Sequence, residues 1–181
     1  MRFQTMEGTK LPDVLEYVKE WVESRDGEVE IWVGCDSLPQ RWKRARFVEV
    51  IVMYTRGHGG HIVFRREQGI RVYGENKDQL IRDRLMREAF RLVEVATFLR
   101  DGGIETFKNV VKVECQLDYN KKKEYASQQI LEQATGFVRA MGFLIEVKPN
   151  APAASYAADA VCRGKEKGNG QQSATKKKRW K

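Results

Sequence analysis

The chain has 181 residues, 41% hydrophobic and 32% charged, which suits one well-buried core under a heavily charged surface. No apolar run approaches the roughly 20 residues of a membrane-spanning helix. Residues 1–10 lack the apolar stretch of a secretory signal. Three cysteines without a C-x-x-C pair (Cys35, Cys115 and Cys162) predict reduced thiols and a cytoplasmic location. The net charge of +8 points first to nucleic acid, yet residues 163–181 alone hold eight Lys or Arg against one Glu. The rest of the chain is nearly neutral, so the basic signal belongs to the tail.

Apolar spacing at Leu11, Val14, Leu15, Val18 and Val22 predicts an amphipathic helix over 10–24. Asp26-Gly27 ends it. A first strand covers 29–35, with Val29, Ile31, Val33 and Cys35 on one face. Asp36-Ser37 falls at its end, before a polar turn at Pro39-Gln40-Arg41. A second strand spans about 45–55, and a third returns over 61–66 after Gly57-His58-Gly59-Gly60, whose glycines supply the positive φ of a hairpin. His58 and His61 are read as part of this hairpin, because two His without further ligands make a poor zinc signature.

A long helix is predicted over 77–100, with Ile81, Leu85, Ala89, Leu92, Ala96 and Leu99 in one stripe and Gly102-Gly103 after it. A fourth strand covers 110–117, with Val111, Val113, Cys115 and Leu117 inward. A helix over 124–141, a fifth strand over 143–147 and an alanine-rich helix over 153–162 complete the order. Three meandering strands followed by α-β-α-β-α predict an α/β fold: a mixed five-stranded sheet with helices on both faces. The domain is expected to span 1–162, and 163–181 to be a basic, disordered tail.

Four acids stand out. Asp36 and Asp118 fall at the carboxyl ends of two strands, where open α/β sheets place their chemistry; either alone also suits an ordinary turn. Glu88 lies at the edge of the long helix's apolar stripe and needs a partner over the sheet, or else an ion pair with Arg84 or Arg91. Asp159 sits in Ala153-Ala154-Ser155-Tyr156-Ala157-Ala158-Asp159-Ala160, where small residues permit close approach to the sheet; a solvent-facing Asp is its ordinary reading.

The order of these acids (strand, long helix, strand, closing helix) resembles that of the ribonuclease H-like superfamily. More closely, the chain looks like the bacterial YkuK-type family of ribonuclease H-like proteins. The matching pieces are Val33-Gly34-Cys35-Asp36-Ser37, Arg87-Glu88, Leu117-Asp118-Tyr119-Asn120, Met141-Gly142-Phe143, Lys148-Pro149-Asn150-Ala151 and the run from Ala154 to Asp159. The resemblance covers roughly residues 29–162. It implies hydrolysis of a nucleic-acid phosphodiester assisted by two Mg²⁺ or Mn²⁺ ions, which suit all-carboxylate sites. It further implies that Asp36 bridges both ions, that Asp118 and Glu88 complete one shell, and that Asp159 completes the other. No His follows the second hairpin, and only Lys121-Lys122-Lys123 stands where some such enzymes carry a basic helix; both points lead away from RNA–DNA hybrids in particular.

Lys148 is a candidate phosphate contact. Lys176, Lys177, Lys178, Arg179 and Trp180 fit a flexible nucleic-acid-binding arm with one stacking aromatic. A non-catalytic nucleic-acid-binding protein on the same fold is the competing expectation, and an enzyme acting on another phosphate ester a third.

Overall fold

A computed structural model describes residues 1–119 and 125–163. Seven strands form one sheet: β1 (Phe3–Thr5), β2 (Lys10–Leu11), β3 (Val29–Gln40), β4 (Arg44–Thr55), β5 (Gly59–Arg71), β6 (Val110–Leu117) and β7 (Leu144–Val147). Their order across the sheet is β2-β1-β5-β4-β3-β6-β7. The meander β3-β4-β5 is antiparallel, whereas β6 joins β3 in parallel and β7 joins β6 in parallel. The predicted α/β class and mixed sheet hold. Two strands are added at the edge, where Phe3 and Thr5 alternate inward and Gln4 pairs with Phe64.

The helices are α1 (Val14–Glu23), α2 (Lys77–Asp101), α3 (Tyr125–Ala140) and α4 (Asp159–Cys162), the last continuing a π-helical segment, Ala153–Ala158. Helix α1 begins four residues later than its apolar spacing suggests. Lys10–Leu11 is drawn into the sheet edge, and Asp13 caps the helix by accepting from the amides of Leu15 (2.9 Å) and Glu16 (3.2 Å). Asn76 caps α2 through the Gln79 amide, and Gly103 at φ 80° follows its end.

One core joins α1, α2 and α3 to the sheet face bearing Val29, Ile31, Val33, Cys35 and Leu117. A second packs Ala153, Ala157, Ala158, Val161 and Cys162 on the opposite face against Val48, Val50, Val52 and Phe64. His61 belongs to the first layer's edge, where its Nε2 meets the Tyr17 hydroxyl at 2.9 Å and its ring stacks on Trp21. All three cysteines are buried and unpaired, and burial pushes the Cys115 and Cys162 thiols up to about 12. No helix among the described residues is long and apolar enough to cross a membrane.

Two local expectations are corrected. Strand β3 does not stop at Cys35. Its parallel ladder with β6 ends at Cys35↔Leu117, but its antiparallel ladder with β4 continues to Gln40↔Arg44, so the expected turn moves to residues 41–43. Pro39 is tolerated there because β3 has a partner on one side only beyond Cys35. Val111, expected inward, is 51% exposed, because β7 pairs with Glu114 to Leu117 and leaves the start of β6 uncovered.

Beneath α2 a wholly buried carboxylate, Glu49, is held by Arg65 (3.2 Å from both Nε and Nη2) and by Arg91 Nη1 (2.6 Å). Arg91 Nη2 reaches on to Glu67 at 2.6 Å. Paired on this scale, a buried charge is tolerable. The start of α2 is equally constrained: a Cβ on Gly74 would lie 2.7 Å from the Leu80 amide nitrogen and 2.9 Å from the Gln79 carbonyl carbon. Gly74→Ala is therefore expected to destabilise the protein by about 1–3 kcal/mol, measured as a lower urea midpoint with unchanged m-value. An unchanged midpoint would show that α2 shifts freely.

Candidate metal centre

Alternation along β3 sends Asp36 and Ser37 to opposite faces. Ser37 points to the α2 side and donates its hydroxyl to Glu88. Asp36, which pairs with Val48 in register, points to the side covered by the closing helix. Asp118 follows the last residue of β6, the parallel neighbour, and Asp36 lies inside β3 rather than at its expected end; each is one residue past Cys35↔Leu117, the last pair of the parallel ladder. The β6–β7 register pairs Leu117 with Val147, which sets the next residues side by side: Lys148 Nζ lies 2.5 Å from Asp118 Oδ1.

Glu88 is 1% exposed. Burial pushes its carboxyl up to about 8; the Arg84 guanidinium and the Ser37 hydroxyl oppose the rise, and the charges of Asp36 and Asp118 add to it. Arg84 Nη1 is 3.4 Å from Glu88 but closer to Ser37, at 2.8 Å from the carbonyl and 2.6 Å from Oγ. Burial likewise raises Asp36 to about 6, with the negative charges of Asp118 and Asp159 adding to the shift. Asp159 is held at 2.5 Å by Arg163 Nε, one turn further on. The Tyr119 hydroxyl donates to the Leu85 carbonyl, fastening the end of β6 to α2.

The closing helix that carries Asp159 is fixed at both ends. The Ala153 amide donates to Gln116 Oε1 (2.7 Å), Gln116 Nε2 to Glu114 (2.8 Å), and Lys112 pairs with Glu114 (2.5 Å). At the far end Arg46 donates to the Cys162 carbonyl and Arg66 to that of Val161, both at 2.7 Å. Gln116→Leu keeps the volume but orphans a buried N–H. It should lower stability by about 1–2 kcal/mol in urea unfolding, and an unchanged midpoint would show that this anchor is dispensable.

The four acids thus come from β3, α2, the end of β6 and the closing helix; Asp118 and Asp159 bear electrostatically on Asp36, and Asp36 and Asp118 on Glu88. As the side chains lie, no three His, Cys, Asp or Glu among the described residues form a group suited to one metal ion. Lys148, Arg163 and the Ser37–Arg84 pair already engage three of the carboxylates. The donor chemistry nevertheless fits a hard divalent cation, since every candidate donor is a carboxylate oxygen. Lys176, Lys177, Lys178, Arg179 and Trp180, with Lys121, Lys122 and Lys123, lie outside the described residues.

From sequence, Ser37 stands beside Asp36 without a partner, and Gln116 is not singled out. Ser37 was legible, since a residue next to Asp36 on a strand must face the other helix layer. Gln116 was not, because its burial depends on where the closing helix crosses the sheet.

A five-strand core ordered β5-β4-β3-β6-β7, with acids where the parallel β3–β6 ladder ends and on the helices packed against it, defines an α/β fold of ribonuclease H type. The chain belongs to the ribonuclease H-like family, which it matches over residues 13–163. No curated protein and no solved structure gives a match.

Proposed function

We propose that the protein is a divalent-metal-dependent nuclease that hydrolyses phosphodiesters in RNA or a structured nucleic acid, within the YkuK-type branch of its family. The observation carrying this reading is the placement of Asp36 and Asp118 side by side just past the last pair of the parallel β3–β6 ladder, with Asp159 bearing on Asp36 from one sheet face and Glu88 buried on the other. Asp36, Asp118, Glu88 and Asp159 would hold the Mg²⁺ or Mn²⁺ ions between them. Such ions activate a water and stabilise the leaving oxygen. The chain's own cations have a complementary task. Lys148 and Arg163, now on Asp118 and Asp159, would transfer to phosphate oxygens when substrate enters. Residues 1–162 would form the domain and 163–181 a basic arm in which Lys176, Lys177, Lys178, Arg179 and Trp180 add nonspecific affinity. The buried, unpaired cysteines suit a reducing compartment such as the cytoplasm.

The same two ion pairs favour a second reading, a nucleic-acid-binding protein that does not turn over, since Lys148 and Arg163 neutralise two of the acids without metal. Labelled RNA, DNA and hybrid substrates incubated with Mg²⁺ or Mn²⁺ separate the two. The nuclease cuts at least one substrate, and EDTA stops it. Salt-sensitive binding of every substrate with cleavage of none would favour the second reading.

A further inference from the structure

The extension of β3 beyond Asp36 carries the chain to an exposed basic hairpin tip. Arg41, Trp42, Lys43 and Arg44 occupy it, and no acidic residue lies between Asp36 and Glu49. Trp42 is 89% exposed, the most exposed of the large apolar side chains described. A single exposed indole is by itself ordinary at a surface, but this one offers a flat face to a ligand among cations on a rigid turn. Trp42 and Lys43 both adopt left-handed backbone (φ 60° and 52°), which is uncommon for bulky residues and costs free energy.

The tip is also held firmly. The Val72 amide donates to the Lys43 carbonyl (2.8 Å), Lys43 Nζ donates to the Gly74 carbonyl (2.8 Å), and the Gly69 amide donates to Gln40 Oε1 (2.9 Å). These bonds tie it to the end of β5, where Arg71 lies over the Tyr73 ring at 5.5 Å and Tyr73 is itself exposed. Among the described residues none of Arg41, Lys43, Arg44 and Arg71 pairs with a carboxylate. Four uncompensated cations around two exposed aromatic rings make a surface for a polyanion whose repeating units also have flat π faces.

We infer that the β3–β4 hairpin tip, with Arg71 and Tyr73, is a binding platform for single-stranded nucleic acid. An unpaired base stacks on Trp42, and Arg41, Lys43, Arg44 and Arg71 take the flanking phosphates. The inference rests on the nucleic-acid reading of the fold and adds where the strand lies. From Asp36 to Gln40 the strand advances about 13 Å, at roughly 3.3 Å per residue. That distance is about four nucleotides at the 3.4 Å spacing of a stacked strand, so a strand held at the tip leads to the acids at the other end of the same β3 segment. The tripeptide Arg-Trp-Lys of the tip, Arg41-Trp42-Lys43, recurs as Arg179-Trp180-Lys181 at the chain's end. The folded domain therefore has its own copy of the feature that the sequence suggested for the tail alone.

The test is fluorescence anisotropy of the full chain with fluorescein-labelled oligo(dT) and oligo(U) across a salt series, the two oligonucleotides separating DNA from RNA. Trp42→Ala should weaken binding about tenfold or more, the loss of one stacked base. Arg71→Gln, which leaves the turn untouched, should lower the salt slope by about 0.7. It decides the matter if Trp42→Ala proves misfolded by circular dichroism. Wild-type affinity and salt slope in both variants would overturn the inference, as would no oligonucleotide binding by wild type. Loss of binding to phosphatidylserine vesicles without loss of oligonucleotide binding would also overturn it, in favour of a membrane surface. Trp42-dependent binding without cleavage of any substrate would uphold the platform and refute the nuclease; cleavage with Trp42-independent binding would do the reverse.

Discussion

Asp36→Asn is expected to abolish metal-dependent cleavage while raising the melting temperature of the metal-free protein. The amide keeps the shape of the side chain but supplies no charge to hold the cations. A metal clamp contributes several kcal/mol to such a reaction, so the rate should fall by about 10³-fold or more. Stability should move the other way. Burial, reinforced by Asp118 and Asp159, raises the Asp36 carboxyl from 3.8 to about 6, so at neutral pH the fold holds an ionised group against its environment. A neutral amide removes that repulsion and suits a site whose residues are arranged for function at the expense of stability. Single-turnover cleavage and a thermal melt in EDTA measure the two effects. Cleavage at the wild-type rate, or a lower melting temperature, would contradict the role assigned to Asp36.

Glu88 should make the metal-free protein less stable as pH rises. Its carboxyl titrates near 8 in the fold against an ordinary value of 4.5, so between those values the native state binds a proton that the unfolded chain has released. Stability from this group is complete below about 4.5 and is lost as pH rises through about 8. Full expression of the shift corresponds to at most about 5 kcal/mol, at 1.36 kcal/mol per unit. Asp36 contributes in the same direction, over the window from 3.8 to about 6. Glu88→Gln, which is neutral at every pH and still accepts from Ser37, should flatten the decline between pH 5 and 9. Mn²⁺ should restore stability at pH 8 in wild type and much less in Glu88→Gln, because only the carboxylate attracts the ion. Urea midpoints across this pH range, with and without Mn²⁺, test both statements. An equally steep decline in Glu88→Gln would assign the titration to another group.

Much of the architecture was legible because apolar periodicity reports which face of an element is covered. The stripe from Ile81 to Leu99 became α2, and the alternation of Val29, Ile31, Val33 and Cys35 became the core face of β3. Periodicity was silent where coverage depends on a neighbour. Phe3 and Thr5 gave too short a pattern to mark an edge strand, and Val111 looked like its buried successors although β7 does not reach it. Apolar spacing also carried α1 through Leu11, which belongs to β2.

The four acids followed the same division. Their element and order along the chain were set by the sequence, since membership of a strand or a helix face is a local property; the strand end expected at Asp36 was not, because β4 pairs with β3 as far as Gln40. Partnership was decided by tertiary structure. The register Leu117↔Val147 brings Lys148 to Asp118, the α2 layer gives Glu88 to Ser37 and Arg84, and the crossing of the closing helix buries Gln116 under Ala153. The charge balance divides in the same way. Composition assigned the positive charge to residues 163–181, and that count is correct for the chain as a whole. A net sum cannot register local segregation, however. Only the fold, by extending β3 to Gln40 and turning at Trp42, gathers cations without carboxylate partners and two exposed aromatic rings at one end of a nearly neutral domain.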